Sequence, residues 1–358
     1  MKIGILTQPL TTNYGGILQN YALQTTLKQL GYNEVLTIDY GKYTWPEWFK
    51  DTIKITIKKL LRRDAHYKSM PSRVAKAQIP LRRFVNDRIS LTVPRIDWPT
   101  RRLFKRYKFD ALIVGSDQVW RPCYNSHSIE DMYLQFAKDT HIKRLAYAAS
   151  FGTDSWEYTE EQTLRCSTLA KKFDAISVRE ESGVPLCRKY LGVESEHVLD
   201  PTMLLRASDY AELCANVVKR KPFVFAYILD KDTATLREIE AFANSKGLPL
   251  LVKSAGPNLN EDDSVELWLS YFRDASYVIT DSFHGTVFSI IFNKDFGVLG
   301  NMHRGNARFE SLINDFSLFE CVLKQPFSDI QQVDWESVNS TLDFKRRFSR
   351  NWLEKSLS

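Results

Sequence analysis

The sequence predicts an α/β protein of two doubly wound domains facing a central cleft, and three observations predict it. Short apolar runs alternate with helix-period segments along the chain. The 358 residues exceed what one core comfortably holds. The alternation falls into two series that change over near "VLDPTMLLRASDY", where Pro201 interrupts the chain and Ser208-Asp209 reads as a helix start. Strands that alternate with helices form parallel sheets covered on both faces. The expected domains are 1–205 and 206–358, with the last helix packing back on the first domain.

Composition bounds the class. Hydrophobic residues make up 44% and charged residues 26%, an ordinary globular mix. No apolar run reaches the roughly 20 residues that span a bilayer. Met1-Lys2-Ile3-Gly4 begins a strand rather than a signal peptide. The five cysteines are scattered, odd in number and without metal-ligand spacing, which suggests reduced thiols in a cytoplasm. The net charge of +6 hides an asymmetry: Lys42 to Lys108 holds 19 Lys/Arg and 5 Asp/Glu, a net of +14, so the remainder carries −8. A basic segment on a mildly acidic protein points to an anionic partner.

The elements follow in order. "KIGILT" is the first strand, and the small, polar Asn13-Tyr14-Gly15-Gly16 is a flexible loop at its carboxyl end, where ligands meet such sheets. Ile17, Tyr21, Leu23, Leu27 and Leu30 then share one face of a helix that Gly31 ends. "EVLTIDY" is the second strand. The insertion of about 42–108 follows, with Trp45, Phe49, Ile53, Ile57 and Leu61 every four residues among Lys50, Lys54, Lys58, Lys59, Arg62 and Arg63. That is an amphipathic basic helix, which either packs on the domain or docks on an anionic membrane; "IKITIKK" also alternates with period two, leaving a strand open.

The next strand ends carry chemistry. "ALIVGSDQVWRP" delivers Ser116, Asp117, Gln118 and Trp120, polar groups beside an indole that suit a sugar, or else a structural loop with Trp120 in the core. After "RLAYAAS", "AISVRE" delivers Arg179, which clamps a carboxylate or phosphate bidentately or pairs with Glu180, Glu181 or a neighbour. The second series contributes "FVFAYIL", "PLLVK", "YVITDS" and "FGVLG". Between the last two, Asp281, Ser282, Phe283, His284 and Gly285 stand where a strand hands over to a helix N-terminus. Amides and the positive dipole end collect there, and an imidazole so placed either moves protons near neutrality or sits satisfied in the wall. His303, Arg304 and Arg308 lie on a following Gly-bounded loop, beside the cleft or at the surface.

Several signatures are absent: G-x-G-x-x-G, the Walker loop, G-x-S-x-G and H-E-x-x-H. "EDD" at Glu261 to Asp263 is a candidate metal cluster in a polar turn, where solvation is the expected state. The insertion shows no nucleic-acid motif, so no nucleic-acid partner is expected.

"TTNYGGILQNYALQ", "LIVGSDQVW", "ISVRE", "VLDPTMLL" and "ITDSFHG", in that order, resemble the polysaccharide pyruvyl transferase family. The resemblance spans about residues 3–310 and leaves out the insertion. It implies two Rossmann-like domains in the glycosyltransferase-B arrangement, without metal or cofactor. It implies transfer of a pyruvyl group from phosphoenolpyruvate to two hydroxyls of one sugar, forming a cyclic ketal, the acceptor being a sugar or a lipid-linked oligosaccharide. Arg179 matches the family's arginine and His284 its histidine. Arg304, twenty positions after His284, stands where the family usually has lysine; it keeps the charge but stays protonated. Around these, Asn13, Gly15, Gly16, Ser116, Asp117, Gln118, Trp120, Ser282 and Gly285 are the expected substrate-binding residues. Two other readings remain open: a nucleotide-sugar glycosyltransferase of the same fold, and a non-catalytic glycan-binding protein of capsule assembly.

Overall fold

The computed structural model describes residues 1–41, 48–49, 52–53, 55–56, 59, 71–125, 127–230, 232–256, 259–260, 262–300, 307–324, 327 and 329–358. The first series gives β1 (Lys2–Leu6), α1 (Tyr14–Gln29), β2 (Glu34–Thr37), α2 (Pro71–Arg88), α3 (Arg102–Tyr107), β3 (Ala111–Val114), β4 (Lys143–Ala149), α4 (Glu160–Ala170), β5 (Ala175–Val178), α5 (Gly183–Leu186) and β6 (Glu196–His197). The second gives α6 (Ala207–Leu213), β7 (Val224–Tyr227), α7 (Thr233–Ser245), β8 (Leu250–Lys253), α8 (Val265–Asp274), β9 (Tyr277–Thr280), α9 (Phe283–Ile291), β10 (Asp295–Val298), α10 (Ala307–Phe316) and α11 (Trp335–Leu357). The sheets are fully parallel, ordered β2-β1-β3-β4-β5-β6 and β10-β9-β7-β8. These are two Rossmann-like doubly wound parallel sheets.

Strand residues alternate between faces, and the packing follows that alternation. Ile3, Ile5, Ile113, Leu145 and Tyr147 of the first sheet join Phe225, Tyr227 and Val278 of the second in one apolar cluster. Leu6, Leu112, Val114 and Ala146 point into a separate cluster of the first domain. Val224, Ala226 and Ile279 point into one of the second. The shared cluster makes the domain junction a core rather than a hinge of water. Tyr14 stacks on Trp268 with ring centroids 5.1 Å apart, and its hydroxyl donates to the Asp263 carbonyl at 3.0 Å.

α1 differs from its expected one-faced stripe. Polar Gln19, Asn20 and Gln24 are as buried as Ile17 and Leu23, because β-strands, α2 and the second domain surround the helix. Gln19 donates to Thr7 Oγ1 and the Gly16 carbonyl, both at 2.8 Å, so its burial is satisfied.

Part of the insertion belongs to the fold. Leu81, Phe84 and Val85 of α2 are buried, and Phe84 meets Tyr21 edge-on at 5.5 Å. Asp39, buried at the end of β2, pairs with Arg82 and, at 3.5 Å, with Arg95. Of the basic amphipathic stretch, Phe49 and Ile53 are helical and 56% and 60% exposed; Trp45, Lys50, Lys54, Ile57, Lys58, Leu61, Arg62 and Arg63 lie outside the described residues. No helix among the described residues is long and apolar enough to cross a membrane.

Candidate functional site at the domain junction

In a doubly wound sheet, ligands bind beyond the carboxyl ends of the strands where the chain reverses its direction of winding. Here the reversals fall between β1 and β3 and between β7 and β9. The first carries Thr7 and Gly115–Gln118; the second carries Asp281–His284. Both deliver to one place.

Its centre is Asp200, in the segment that leaves the first sheet for the second. The carboxylate is buried. Its Oδ2 receives Arg179 NH1 at 2.9 Å and Ser116 Oγ at 3.3 Å, and lies 3.6 Å from His284 Nε2. Its Oδ1 accepts from the Thr202 amide at 3.0 Å and from Thr202 Oγ1 at 2.6 Å. One carboxylate thus holds an arginine from β5 of the first domain beside a histidine from α9 of the second. Burial alone would raise the Asp200 pKa, but hydrogen bonding and charge from His284, then Arg179 and Thr202, hold it well below the usual carboxylate range. Burial opposes charge on Arg179 too, yet Asp200, Asp117 and Glu180 raise its pKa above the ordinary guanidinium value.

Arg179 stands 4.5 Å over the Phe283 ring, with Arg308 of α10 at 5.5 Å from that ring. Arg308 therefore sits inside the junction, on a helix rather than a surface loop. Its burial, with repulsion from Arg179, pulls its pKa down to about 10. Arg179 Nε and NH2 and His284 Nε2 are buried without a hydrogen bond of ordinary length among the described residues; NH2 faces Asp117 and Nε2 faces Asp200, each at 3.6 Å. Buried donors without a short bond are costly, so these long contacts leave polar capacity unused at the junction.

The backbone is shaped around this point. Ser282 caps α9, its Oγ accepting from the Gly285 amide at 3.3 Å. A Cβ on Gly285 would lie 2.2 Å from Thr280 Oγ1. Across the junction, a Cβ on Gly15 would lie 2.0 Å from His284 Nδ1. This corrects the expected flexible loop: Asn13 is the N-cap position, and Tyr14, Gly15 and Gly16 form the first turn of α1. Glycine is needed there because the imidazole occupies the space of a side chain.

The remaining expected residues divide. Asn13 Nδ2 donates to Asp117 Oδ2 at 3.4 Å, a Gly16 Cβ would lie 3.3 Å from the same oxygen, and Asp117 Oδ1 lies 3.6 Å from Arg179 NH2. Gln118 is held through its Oε1 by Arg121 at 3.2 Å. Asn13, Gly15, Gly16, Asp117, Arg179, Ser282, His284 and Gly285 are therefore one constellation. Ser116 is fully buried and backs Asp200 from behind, its Oγ also donating to the Ala148 carbonyl at 3.0 Å, so it offers nothing to a cleft. Trp120 is 0% exposed, stacks on Tyr133 at 4.8 Å and donates Nε1 to the Met132 carbonyl at 3.1 Å. It is a core residue, because the strand-end turn folds its ring under the loop, and it presents no face to a sugar. Glu180 is not the partner of Arg179; its Oε1 accepts from the Phe151 and Gly152 amides at 2.6 and 2.9 Å. Asp263 pairs with Lys253 at 2.7 Å, Glu261 lies outside the described residues, and no group of three or more potential metal ligands occurs among those described. Arg304 and His303 also lie outside the described residues. Asp200 is what sequence reasoning missed. Its signal was present, an acid before proline at the domain changeover, but nothing local says which side chains meet it.

The chain is similar in fold to UDP-GlcNAc 2-epimerase from Neisseria meningitidis bound to UDP-GlcNAc, at 9% identity and TM-score 0.49 over 98% of this chain and 94% of that one. It is similar to UDP-GlcNAc 2-epimerase from Methanocaldococcus jannaschii in complex with UDP-GlcNAc and UDP, at 12% identity and TM-score 0.45 over 96% and 99%. The wall teichoic acid polymerase TagF matches at 9% identity and TM-score 0.48 over 99% and 88%. No curated protein sequence matches the chain. The family model for polysaccharide pyruvyl transferase matches residues 13–303, most of the chain, and by that match the chain belongs to the polysaccharide pyruvyl transferase family.

Proposed function

We propose that this protein transfers the pyruvyl group of phosphoenolpyruvate to two hydroxyls of a sugar in a surface polysaccharide or its lipid-linked precursor, forming a cyclic ketal and releasing phosphate. The observation that supports this reading is an arginine of the first domain and a histidine of the second buried together at the junction, with Arg179 Nε and NH2 and His284 Nε2 making no short hydrogen bond. Phosphoenolpyruvate brings a carboxylate and a phosphate in one small molecule. A guanidinium suits either anion, and Arg179 is the one to clamp it. Arg304 takes the second anion by its place twenty positions after His284.

The chemistry then needs one proton delivered to carbon. A sugar hydroxyl adds to the enol carbon while His284 protonates the methylene carbon. Phosphate leaves, its charge met by arginine, and the second hydroxyl bonds to the same carbon and closes the ring. Of the two hydroxyl protons, one ends on the methyl group by way of the imidazole and one leaves with phosphate. Asp200, held ionised, stabilises the imidazolium between these steps.

Titration calorimetry with phosphoenolpyruvate and, separately, with nucleotide sugars tests the donor. Phosphoenolpyruvate should bind, and Arg179→Ala should weaken it by roughly 1.5–3 kcal/mol. His284→Gln should keep donor binding and lose about 10²- to 10⁴-fold in turnover. Binding of a nucleotide sugar in place of phosphoenolpyruvate overturns the reading, as does a His284→Gln enzyme with most of its activity.

A further inference from the structure

A second concentration of positive charge lies away from Asp200, where α11 crosses the interdomain segment. A groove there is lined by Arg206, Arg346, Arg347 and Arg350, with Asp209 and Asp343. The two acids are already engaged. Asp343 pairs with Arg346, and Asp209 Oδ2 accepts from the Arg206 amide at 2.7 Å to cap α6. Arg346 is engaged too: its Nε donates to the Met203 carbonyl at 2.8 Å, which anchors α11 to the first domain.

The other three arginines are different. None of Arg206, Arg347 and Arg350 forms an ion pair among the described residues; Arg350 donates only to the Gln29 amide oxygen at 2.9 Å. Arg206 and Arg347 are exposed and Arg350 is half-buried. The crowding is felt within the cluster, since burial and then repulsion from Arg206 act to lower the Arg346 pKa against Asp343. Like charges gathered in a concave, polar site repel unless an anion joins them. Guanidinium forks match the oxygens of phosphate, as of carboxylate, bidentately.

We propose that this groove binds a phosphate-bearing ligand, with Arg206, Arg347 and Arg350 as its ligands and Arg346 as the fixed wall. The phosphate arrives either on a soluble molecule or on a lipid headgroup. The lipid source has support on the same helix. Phe344 and Phe348, one turn apart, are 65% and 44% exposed, and they flank Arg347 as an apolar stripe beside a basic one.

Equilibrium dialysis with inorganic pyrophosphate at low ionic strength tests the site, the difference between the parent and the groove variants separating it from any contribution of the domain junction. The expected result is saturable binding that falls at least about tenfold in Arg347→Glu with Arg350→Glu and is partly kept with lysine at both positions. Thermal melting of the variants checks folding, and a small change is expected because Arg347 is exposed and half-buried Arg350 gives up one hydrogen bond, to Gln29. No pyrophosphate binding, or equal binding by the glutamate variant, overturns the proposal. Vesicles of phosphatidylglycerol separate the sources. Co-sedimentation that pyrophosphate competes away and Phe344→Ser with Phe348→Ser abolishes assigns the ligand to a lipid; protein left in the supernatant while pyrophosphate binds assigns it to a soluble phosphate. Vesicle binding that persists in the glutamate variant counts against the groove.

Discussion

At Asp200 a single carboxylate carries the charge balance of two domains. Its folded-state pKa is depressed below the unfolded value of about 3.9. The sign follows from linkage: the stabilisation is fully present above the unfolded pKa and is lost as pH falls toward the folded one. Asp200→Asn should therefore cost about 3–5 kcal/mol at pH 7, as expected when one partner of a buried ion pair is removed. It should also flatten the loss of stability below pH about 4. Urea denaturation across that range checks this, and a variant as acid-sensitive as the parent removes Asp200 from its role. The two neighbouring glycines make a sharper pair. A Gly15 Cβ would meet His284 Nδ1 at 2.0 Å, whereas a Gly16 Cβ meets Asn13 Nδ2 at 3.1 Å and Asp117 Oδ2 at 3.3 Å. Gly15→Ala should cost about 1–3 kcal/mol by overpacking and displace the imidazole, with turnover falling toward that of His284→Gln. Gly16→Ala should be milder in melting temperature and rate; equal effects would mean that the imidazole moves freely.

Two strand ends show how elements aim these side chains. At β9–α9, Thr280 Oγ1 donates to the Tyr227 carbonyl at 2.7 Å and accepts from the Ser282 amide at 3.0 Å, while Asp281 accepts from the Leu229 and Asp230 amides at 2.7 and 2.8 Å. The turn is tied to β7 before α9 begins, so His284 in the first turn has a set direction. The turn after β3 works otherwise. Gly115 has φ +129° and a Cβ there would strike the Tyr147 carbonyl oxygen at 2.0 Å, so only glycine passes, and the chain dives to bury Trp120. Trp120→Phe should lose the bond to Met132, worth about 1 kcal/mol, and leave the acceptor KM within about twofold, because the ring serves stability. A large KM increase without a drop in melting temperature would return the tryptophan to the sugar site.

The whole molecule is bound together by α11, which starts after the second domain and ends on the first. Leu353 and Leu357 are fully buried, Ser349 Oγ accepts from the Leu199 amide at 3.0 Å, and Trp352 meets Tyr147 with centroids 6.0 Å apart. Fully burying a leucine is worth about 1.5–3 kcal/mol, so two of them rival much of the roughly 5–15 kcal/mol that keeps a domain folded. Removal of 335–358 should lower the melting temperature and split one calorimetric transition into two, since the shared core loses its clasp. An unchanged single transition would show that the strands and Tyr14–Trp268 contact suffice.

Periodicity and punctuation were enough for the two alternating series, the parallel sheets and the strand ends that carry Arg179, Asp117 and His284, because these are local properties that a strand or helix imposes on its own residues. Motif order was enough for the family. What lay beyond them was contact. That Asp200 joins Arg179 to His284 depends on two sheets meeting with their switch points face to face, which no local spacing encodes. That Gly15 must lack a side chain depends on an imidazole from the other domain filling that room. Trp120 and Ser116 sit at the right strand end for a ligand and point away from it, because direction at a turn is decided by what packs beneath. Position along the chain determined where chemistry collects; only tertiary packing decided which of those side chains face one another.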